Sequence, residues 1–438
     1  MRTKIMSIAL PVLLPIALGA CTALASTDDS IGVGPDPQLP EPSKSLVPTV
    51  HIAPAAGWPK GARPRAPAGF QVTALATGLH HPRWLTVLPN GDVLVAETNA
   101  PSKPEDAKGI KGMVMKQVMK RAGAGPGSAD RITLLRDVNG DGVAETRHVF
   151  AQDLHSPYGM ALVGNDLYVA DTDAVVKLPY RKGELQVTGA PVKVTDLPAG
   201  DINHHWTKNV IASPDGAKLY ATVGSNSNVG ENGIAAEEGR AAIWEIDRDT
   251  GAKRLFASGL RNPNGLAWEP QSKVLWTVVN ERDELGNDLV PDYLTSVKEG
   301  AFYGWPWSYW GQHVDDRVKP PQPDMVAKAT VPDYGLGSHR APLGLAFADG
   351  KLAGPFASGA FIGEHGSWNR RPFAGYKVVF VPFKDGKPAG PPVDFLTGFV
   401  SEDGKALGRP VGVAIDKTGA VLVADDVGNT VWRVAPSR

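Results

Sequence analysis

Pairs of short apolar runs recur along the chain from about residue 69 to its C-terminal end. In each pair, a Pro-containing lead-in precedes an apolar run, a turn with Gly, Asn or Asp follows, and a second apolar run ends in a polar or acidic residue. Apolar runs of this length, separated by such turn residues, predict β-hairpins. Six copies begin at His81, Ser156, His205, Arg261, Ala341 and Arg409.

The spacing of the copies, always more than 40 residues, predicts the architecture. Such a period is typical of a radial repeat in which each copy contributes one four-stranded blade. We therefore predict an all-β fold, a six-bladed β-propeller, over residues 67–438. The stretch GFQVTALAT at 69–77 is expected to pair with the last blade, so that ring closure leaves no exposed sheet edge. A β-sandwich, the alternative, fits poorly with so long a period.

The N-terminal residues resemble a targeting signal. Residues 1–20 combine a basic start, an apolar run broken by two prolines, and small residues before Cys21, which favours a signal peptide over a membrane span. The sequence LGAC at 18–21 resembles a lipobox, so we expect a lipidated Cys21 and a periplasmic protein anchored to the outer membrane. Ordinary cleavage after Ala25, the alternative, would release a soluble secreted protein. Residues 21–66, rich in Pro, Ser and Asp, are predicted to form a tether.

A basic insertion interrupts the repeats at residues 99–130 and is predicted to contain a short helix. Its apolar positions are Met113, Val114, Met115, Val118 and Met119. With the neighbouring lysines, such a helix is suited to touch a membrane or a partner protein. The simpler alternative is a helix that packs on one blade.

A second interruption resembles the start of a calcium-binding loop. It offers alternating oxygen ligands and a Gly at the turn, and the ligands are Asp137, Asn139, Asp141 and Glu145. The spacing to the last acid is shorter than in an EF-hand. A second calcium site and a solvated turn therefore stand as equal alternatives.

Charge and cysteine content narrow the range of partners. The formal net charge of the 438 residues is −1, so nothing in the composition points to nucleic acid as a partner. The 42% hydrophobic content suits a large folded domain. Because Cys21 is the only cysteine, the chain forms no internal disulfide.

In a propeller, equivalent loops from all blades meet at one mouth of the central channel. Arginines, histidines and aromatic residues occupy these positions, and we predict that they bind a planar anionic ligand, because Arg gives bidentate contacts to carboxylates. Alternatively, each Arg considered by itself is a surface residue or a member of a structural ion pair. The ends of the second strands, residues 280–283 and 364–370, are expected at the same mouth. The predicted ligand-binding set is Arg83, Trp84, Tyr158, His204, His205, Arg261, Asn262, His339, Arg340, Trp368, Arg370 and Arg409.

Several stretches resemble a known family. They are HPRWLTVLPNGDVLVAE from His81, RNPNGLAW from Arg261, NERDELGNDLVPDYL from Asn280, YGWPW from Tyr303 and GEHGSWNR from Gly363. Together they resemble the glucose/sorbosone dehydrogenase family, and most of all its L-sorbosone dehydrogenase branch, which uses pyrroloquinoline quinone (PQQ). The resemblance runs from about residue 66 to the C-terminal end. RNPxG followed by YGWP is fairly specific to the family, whereas PDG turns are common to propellers.

The resemblance implies roles for individual residues. The family's catalytic histidine precedes the turn proline, here Pro214, by nine residues and therefore falls on His205. The pair that faces the cofactor falls on Arg261 and Asn262, and Arg370 matches an arginine that binds a cofactor carboxylate. The family's Ca²⁺ is held partly by main-chain carbonyls, which here belong to Asn280, Glu281 and Arg282. His204 replaces an Asp of the glucose enzymes, and Glu281-Arg282 replaces their Gly-Pro, which points away from glucose as substrate.

These residue types suit oxidation of a sugar or a sugar-derived alcohol or aldehyde. Neutral His205 would take the hydroxyl proton while hydride leaves to the quinone, and Arg261 would stabilise the developing negative charge. Ca²⁺ would polarise the quinone, and Trp84, Tyr158 and Trp368 would stack on the cofactor or the sugar. No dinucleotide-binding fingerprint follows a strand, which argues against a nicotinamide cofactor. The electron acceptor, a cytochrome or a membrane quinone, is left open.

Two other functions fit a propeller of this kind. The first is a lactonase-type hydrolase with Ca²⁺ held by Glu, Asn and Asp side chains, which requires clustered carboxylates at the mouth. The second is a non-catalytic propeller whose mouth binds an anionic ligand or a partner.

Overall fold

A computed structural model describes residues 28–43, 49–101, 117, 120–124, 127–352 and 354–437. The predicted signal peptide with Cys21 and all five apolar positions of the predicted insertion helix lie outside these residues. Within the described ranges, no helix has both the length and the apolar character that a bilayer crossing requires.

Antiparallel four-stranded sheets dominate the structure, and two strands precede the first of them. These are β1 (Val33–Gly34) and β2 (Phe70–Ala76). Blade 1 consists of β3 (Pro82–Val87), β4 (Val93–Glu97), β5 (Arg131–Arg136) and β6 (Thr146–Ala151). Blade 2 consists of β7 (Met160–Val163), β8 (Asp166–Ala170), β9 (Ala174–Pro179) and β10 (Val192–Asp196). Blade 3 consists of β11 (Val210–Ala212), β12 (Lys218–Val223), β13 (Ala242–Asp247) and β14 (Lys253–Ser258).

The remaining three blades carry small additions. Blade 4 consists of β15 (Asn262–Trp268), β16 (Leu275–Asn280), β17 (Pro291–Ser296) and β20 (Tyr334–Ser338), with a separate hairpin of β18 (Ser308–Tyr309) and β19 (His313–Val314). Blade 5 consists of β21 (Pro342–Phe347), β22 (Gly359–Glu364), β23 (Lys377–Lys384), β24 (Lys387–Pro388) and β25 (Val393–Leu396). Blade 6 consists of β26 (Pro410–Ile415), β27 (Val421–Asp425), β28 (Thr430–Pro436) and β2. The short helical segments are Lys120–Ala124, Ile234–Glu237, Pro323–Val326 and Gly354–Phe356.

The prediction of a six-bladed all-β propeller is confirmed, including the way the ring closes. Strand β2 pairs antiparallel with β28, with Val72 opposite Val434, so the last blade takes its outer strand from the start of the domain. The first strands of successive blades, β3, β7, β11, β15, β21 and β26, lie side by side around the channel.

The Pro-x-Gly pattern of the lead-ins has a packing reason. A Cβ atom on Gly159, Gly265, Gly344 or Gly412 would lie within 3.0 Å of main-chain atoms of the next blade's inner strand. Strands that approach so closely exclude any side chain. The recurrent glycine is therefore a requirement of blade-to-blade packing.

The described part of the predicted tether lies on the propeller. We call residues 28–43 and 49–66 the N-terminal strap. Strand β1 extends blade 4 by pairing with β20, and bridges join His51 to Asn369, Ala55 to Ala406 and Arg65 to Thr397. The strap therefore crosses blades 4, 5 and 6 instead of forming a free linker.

Candidate active site

Side chains from different blades contact one another where the lead-in loops meet, at the end of the propeller that we call the mouth. Arg83 of blade 1 and His365 of blade 5 both bind Asp426 of blade 6. The Tyr158 hydroxyl of blade 2 donates to Asn264 of blade 4 at 2.9 Å. The lead-in positions therefore converge.

His205 lies in the loop before β11, and one of its ring nitrogens is fixed. Nδ1 is 2.8 Å from the Ser225 carbonyl oxygen and 3.0 Å from the Ser225 hydroxyl. Because a carbonyl oxygen only accepts, Nδ1 carries the hydrogen and Nε2 carries the lone pair. Burial, with Arg261 second, lowers the pKa of His205 well below its ordinary value, so the ring is neutral near pH 7. Gly224 allows this arrangement, because a Cβ there would collide with His205 and Asn262.

His204, the adjacent imidazole, points elsewhere. Its ring lies 4.8 Å from that of His205 at 86°, and its side chain is exposed. It contributes to the lowering of the pKa of Glu231, to which main-chain hydrogen bonds contribute more, and is therefore near the loop after β12. Of the two histidines, His205 is the one held in the interior.

Lys208 contacts the backbone of His205 and was not singled out by sequence analysis. Its ammonium group is fully buried and donates to the main-chain oxygens of His205, at 3.0 Å, and Trp206, at 3.3 Å. Burial lowers the pKa of Lys208 well below its ordinary value. Lys208 thereby fixes the backbone that carries His205. A lysine at the start of a strand normally projects into solvent, so the sequence offered no signal.

Arg261 is buried and its three nitrogens all have protein acceptors. Nη1 donates to the Glu281 carbonyl oxygen at 2.6 Å, Nη2 donates to Asn228 Oδ1 at 3.0 Å, and Nε donates to the Asn228 carbonyl oxygen at 3.2 Å. Nη2 also lies 3.2 Å from Asp283 Oδ2. Arg261 is therefore at the mouth, as predicted, and in this structure it ties the loops of blades 3 and 4 together.

The carbonyls predicted to hold Ca²⁺ are in contact with this guanidinium. The carbonyl oxygens of Asn280 and Glu281 both accept from Arg261 Nη1, at 3.4 and 2.6 Å. Arg282 is buried and its guanidinium binds the Asp315 carboxylate. A positively charged group already contacts two of the three predicted carbonyl positions.

Near these carbonyls lie three buried carboxyl groups to which sequence analysis gave no role. Burial raises the pKa of Glu281 to about 7, that of Asp292 to about 6 and that of Glu364 to about 7. Asp292 accepts from the main-chain N–H groups of Glu281 and Ala341, at 2.8 and 2.9 Å. The acids lie at or next to the ends of apolar strands. In the sequence, an acid there is no different from the polar residues that commonly end a strand.

His339 forms an ion pair beside Arg261. Its Nε2 donates to the Gly286 carbonyl oxygen at 2.9 Å, and its Nδ1 lies 3.4 Å from Asp283 Oδ1. Although burial opposes the charge, Asp283 raises the pKa of His339 above its ordinary value. Burial alone would raise the pKa of Asp283, but His339 and Arg261 outweigh it and lower that pKa.

Three of the predicted arginines contact the N-terminal strap. Arg340 donates to the Asp29 carbonyl oxygen at 2.6 Å, and Arg370 bonds Asp288 at 3.0 Å and lies 3.3 Å from Asp29 Oδ1. Arg409 donates to the Tyr376 hydroxyl at 3.0 Å and to the Ala53 carbonyl oxygen at 3.4 Å. Sequence reasoning could not foresee these partners, because the strap was interpreted as a linker.

Arg83 joins a second ion-pair cluster on the opposite side of the mouth. Its Nη1 lies 2.5 Å from Asp426 Oδ2, which also accepts from His365 Nε2 at 2.9 Å. His81 Nε2 is 3.7 Å from the same oxygen. Burial opposes ionisation of Asp426, but His365, His81 and Arg83 hold its pKa well below the usual range.

The predicted aromatic residues differ in exposure. Trp84 and Tyr158 are buried, with ring centroids 4.8 Å apart, and belong to the core between blades. Trp368 keeps part of its surface exposed. Trp206, which sequence reasoning did not single out, is also half-buried and lies 5.9 Å from the Arg83 guanidinium carbon. Trp206 and Trp368 thus both keep part of an indole ring accessible.

Five predicted ligand-binding residues keep a buried polar atom without a hydrogen-bond partner among the described residues. In four of them this atom is an Nε–H donor of an arginine and in the fifth it is an amide oxygen. The residues are Arg83, Arg340, Arg370, Arg409 and Asn262. Buried polar groups normally have partners. Twelve other buried polar atoms of the described residues, such as Trp276 Nε1 and Tyr293 Oη, also lack a partner, so what distinguishes these five is that predicted ligand-binding residues carry them.

The predicted second calcium loop brings three carboxylates together. Oxygens of Asp137, Asp141 and Glu145 lie within 4.8 Å of one another at the protein surface. Asp137 also accepts from the main-chain N–H groups of Gly140 and Gly142, at 2.7 and 2.8 Å, as in a solvated turn. Both alternatives for this loop stand.

A model of the TrAA12-like family matches residues 128–295 and 322–437. An uncharacterized protein of Borreliella burgdorferi is 27% identical over 305 residues, which cover 67% of this chain and 79% of that protein. A pyrroloquinoline quinone-dependent pyranose dehydrogenase of Coprinopsis cinerea is 25% identical over 360 residues, which cover 72% of this chain and 44% of that protein.

A solved structure shows the same fold. The family AA12 enzyme of Trichoderma reesei superposes with a TM-score of 0.69 at 19% identity, over 89% of this chain and 100% of that one. At this identity the likeness concerns the fold alone. The family model, however, matches more than half of the residues, with the inner strands of blades 2 to 6 among them, and the chain therefore belongs to the TrAA12-like family and is related to a PQQ-dependent sugar dehydrogenase.

Proposed function

We propose that the protein oxidises a sugar, or a sugar-derived alcohol or aldehyde, with PQQ, and that His205 is the general base. The observation that carries this proposal is the state of the His205 ring. Its Nδ1–H is fixed by the Ser225 carbonyl, and Nε2 has no hydrogen-bond partner within the described part of the chain. A neutral imidazole with a defined lone pair at a converging mouth is what abstraction of a hydroxyl proton requires.

The donor set at the mouth fits the cofactor. PQQ is a planar tricarboxylate, and the unpaired Nε–H groups of Arg83, Arg340, Arg370 and Arg409 are donors of the kind that carboxylates need. Asn262 would supply its amide and Trp368 an aromatic face. The name of the Coprinopsis relative supports the same cofactor.

Within this mechanism, bound PQQ would accept the hydride equivalent from the substrate carbon. His205 Nε2 would receive the hydroxyl proton. The Ser225 carbonyl and hydroxyl would keep the imidazole in the required tautomer, and Lys208 would hold its backbone. Arg261 would place a positive charge near the reacting centre through loops that it already fixes.

Calcium at Asn280, Glu281 and Arg282 does not fit the residues as arranged. The first two carbonyls bind the Arg261 guanidinium, and bound Ca²⁺ would have to displace it. We therefore assign Ca²⁺ no step. The L-sorbosone-like substrate range, lipid anchoring at Cys21, a periplasmic location and a cytochrome or quinone acceptor remain parts of the proposal.

The lactonase alternative gains little support. The mouth does contain acids, but Asp283 and Asp426 are each bound by an arginine and a histidine. Carboxylates engaged in this way are not free ligands for a catalytic Ca²⁺. Burial raises the pKa of Glu281, Asp292 and Glu364 to between about 6 and about 7, which disfavours the charged form that a Ca²⁺ ligand needs. Oxidation therefore remains the function that we propose.

Purified apo-protein titrated with PQQ, with and without Ca²⁺, tests the cofactor, and dye reduction over aldoses, sorbosone and polyols tests the reaction. We expect stoichiometric PQQ binding and dye reduction with at least one sugar. His205→Gln should lower kcat about 10³-fold, within the range for loss of a general base, while PQQ still binds. The matched control is His148→Gln, because His148 is an exposed histidine on β6 and is not a predicted site residue. Absence of PQQ binding under both conditions would refute the cofactor, and lactone hydrolysis would be examined next.

A further inference from the structure

The imidazole of His365 is held at one nitrogen by a buried carboxylate. Nε2 donates to Asp426 Oδ2 at 2.9 Å, and the Asp426 side chain is 2% exposed. Arg83 Nη1 binds the same oxygen at 2.5 Å, so the carboxylate cannot turn away. The orientation of the His365 ring is therefore fixed.

The other ring nitrogen is available. Because Nε2 carries the hydrogen, Nδ1 of neutral His365 carries a lone pair and is an acceptor. Nδ1 has no hydrogen-bond partner among the residues that the structure describes, and 21% of the side-chain surface is exposed. Burial, which Asp426 opposes only in part, lowers the pKa of His365 to about 4. The ring therefore stays an acceptor near pH 7 and does not act as a proton carrier.

His365 shares the mouth with His205. Arg83 connects them, since its guanidinium bonds Asp426 on one side and lies 5.9 Å from the Trp206 ring on the other. Trp206 adjoins His205 in the chain, and Trp368 follows His365 by three residues; both indoles are half-buried. A neutral hydrogen-bond acceptor with accessible surface, at a mouth that also leaves parts of two indole rings exposed, suits a ligand with several hydroxyl groups and apolar C–H faces.

We propose that His365 is a specificity residue that accepts, at Nδ1, a hydrogen bond from a hydroxyl group of a sugar, with Asp426 as its positioning residue. This inference rests on the proposed function and deepens it. It assigns His365 Nδ1 to a neutral polyhydroxylated substrate, which would lie beside the arginines proposed to hold the PQQ carboxylates.

His365→Gln tests the role, since Gln keeps a donor for Asp426 and removes the acceptor at the Nδ1 position. We expect the KM for an oxidised aldose to rise about 10-fold, the upper range for one hydrogen bond, with kcat within about twofold. The monodeoxy analogue that lacks the bonded hydroxyl should show the same KM in the variant and the parent. Equal changes for all analogues, or no change in KM, would overturn the proposal. His148→Gln again provides the control.

A second measurement separates this inference from the proposed function. In ¹⁵N imidazole spectra of the apo-protein, D-glucose, D-galactose or D-xylose should shift the His365 Nδ1 resonance and leave the His148 resonances in place. If PQQ binding or dye reduction fails while this shift is observed, the proposed oxidation is wrong and the sugar site stands. If none of the three sugars shifts Nδ1, the sugar site is wrong, whatever the outcome with PQQ.

Discussion

Two histidine–carboxylate pairs at the same mouth carry opposite protonation states. His339 beside Asp283 has acceptors at both nitrogens, the Gly286 carbonyl and the Asp283 carboxylate, and its pKa is raised. His365 beside Asp426 has an acceptor at one nitrogen only, and its pKa falls to about 4. The residue types are the same. Two things differ. His365 has fewer hydrogen-bond acceptors than His339, and the positive charges of the nearby Arg83 and Arg409 disfavour protonation of His365.

The difference assigns the two sides of the mouth to different tasks. At blades 4 and 5 a protonated histidine, a carboxylate and Arg261 form a closed network with no unused ring nitrogen. At blades 5, 6 and 1, neutral His365 has one ring nitrogen, Nδ1, without a hydrogen-bond partner among the described residues. The first side is suited to hold loops, and the second is suited to bind a ligand.

Replacement of the two carboxylates should have unequal effects on stability. Asp426→Asn leaves Arg83 buried without its charged partner, and we expect a loss of about 3 to 5 kcal/mol in the free energy of unfolding. Asp283→Asn should cost less, because Arg261 keeps Asn228 and the Glu281 carbonyl as acceptors. Urea unfolding of both variants measures the difference.

Asp173→Asn is the control for this comparison. Asp173 pairs with His155 at 3.0 Å on the surface, where both side chains are about half exposed, so its loss should cost below about 1 kcal/mol. Equal losses for Asp426→Asn and Asp173→Asn would show that the buried cluster contributes no special stability.

The two imidazoles should titrate more than two pH units apart. A ¹⁵N NMR titration should show His365 gaining its proton near pH 4 and His339 retaining its proton above pH 6.5. By linkage, His365 favours the unfolded state as pH falls from 6.5 towards 4, since the unfolded chain then binds more protons. His339 acts in the opposite sense, because its stabilising contribution is present below pH 6.5 and is lost as pH rises through its raised pKa. Coincident titrations would break the comparison.

The fold was predictable because its signals are local. Each blade repeats two apolar runs, and four of the six lead-ins contain Pro-x-Gly, whose glycines Gly159, Gly265, Gly344 and Gly412 mark where neighbouring blades touch. The closing strand was predictable for the same reason, since residues 70–76 alternate like a blade strand. The location of Arg83, His205 and Arg261 at one mouth follows from the propeller alone, because its six equivalent loops converge there.

The partners of the mouth residues were not predictable, because they depend on contacts between distant segments. Arg340 and Asp29 are separated by 311 positions, and nothing in a Pro-rich stretch announces where it lies on the propeller. Asp283 was expected at the mouth without a role of its own, and Asp426 was passed over because polar strand ends are common. Their significance comes from burial, which no single-sequence pattern reports.

The smallest expected effect concerns a third imidazole, that of His205, which has no carboxylate partner among the described residues. Lys208, which donates to the His205 carbonyl oxygen, provides the test. Lys208→Met removes a buried cation and three donors while it keeps a side chain of similar length. We expect a loss of about 1 to 2 kcal/mol in unfolding free energy, because the carbonyls of His205 and Trp206 lose their donor.

The same variant should raise the pKa of His205 slightly, because positive charge on Lys208 is among the causes, after burial, Arg261 and His204, that lower this pKa. The pH at which dye reduction declines on the acid side should rise with it, since protonated His205 is no base. Lys218→Met, which removes a half-exposed lysine paired with Asp247 on the same blade, should shift neither quantity. An unchanged acid limb in Lys208→Met, together with an unchanged His205 resonance, would show that Lys208 supports only the backbone. If the His205 pKa and the acid limb shift in Lys208→Met and not in Lys218→Met, the low pKa of His205 depends on the buried Lys208 as well as on desolvation.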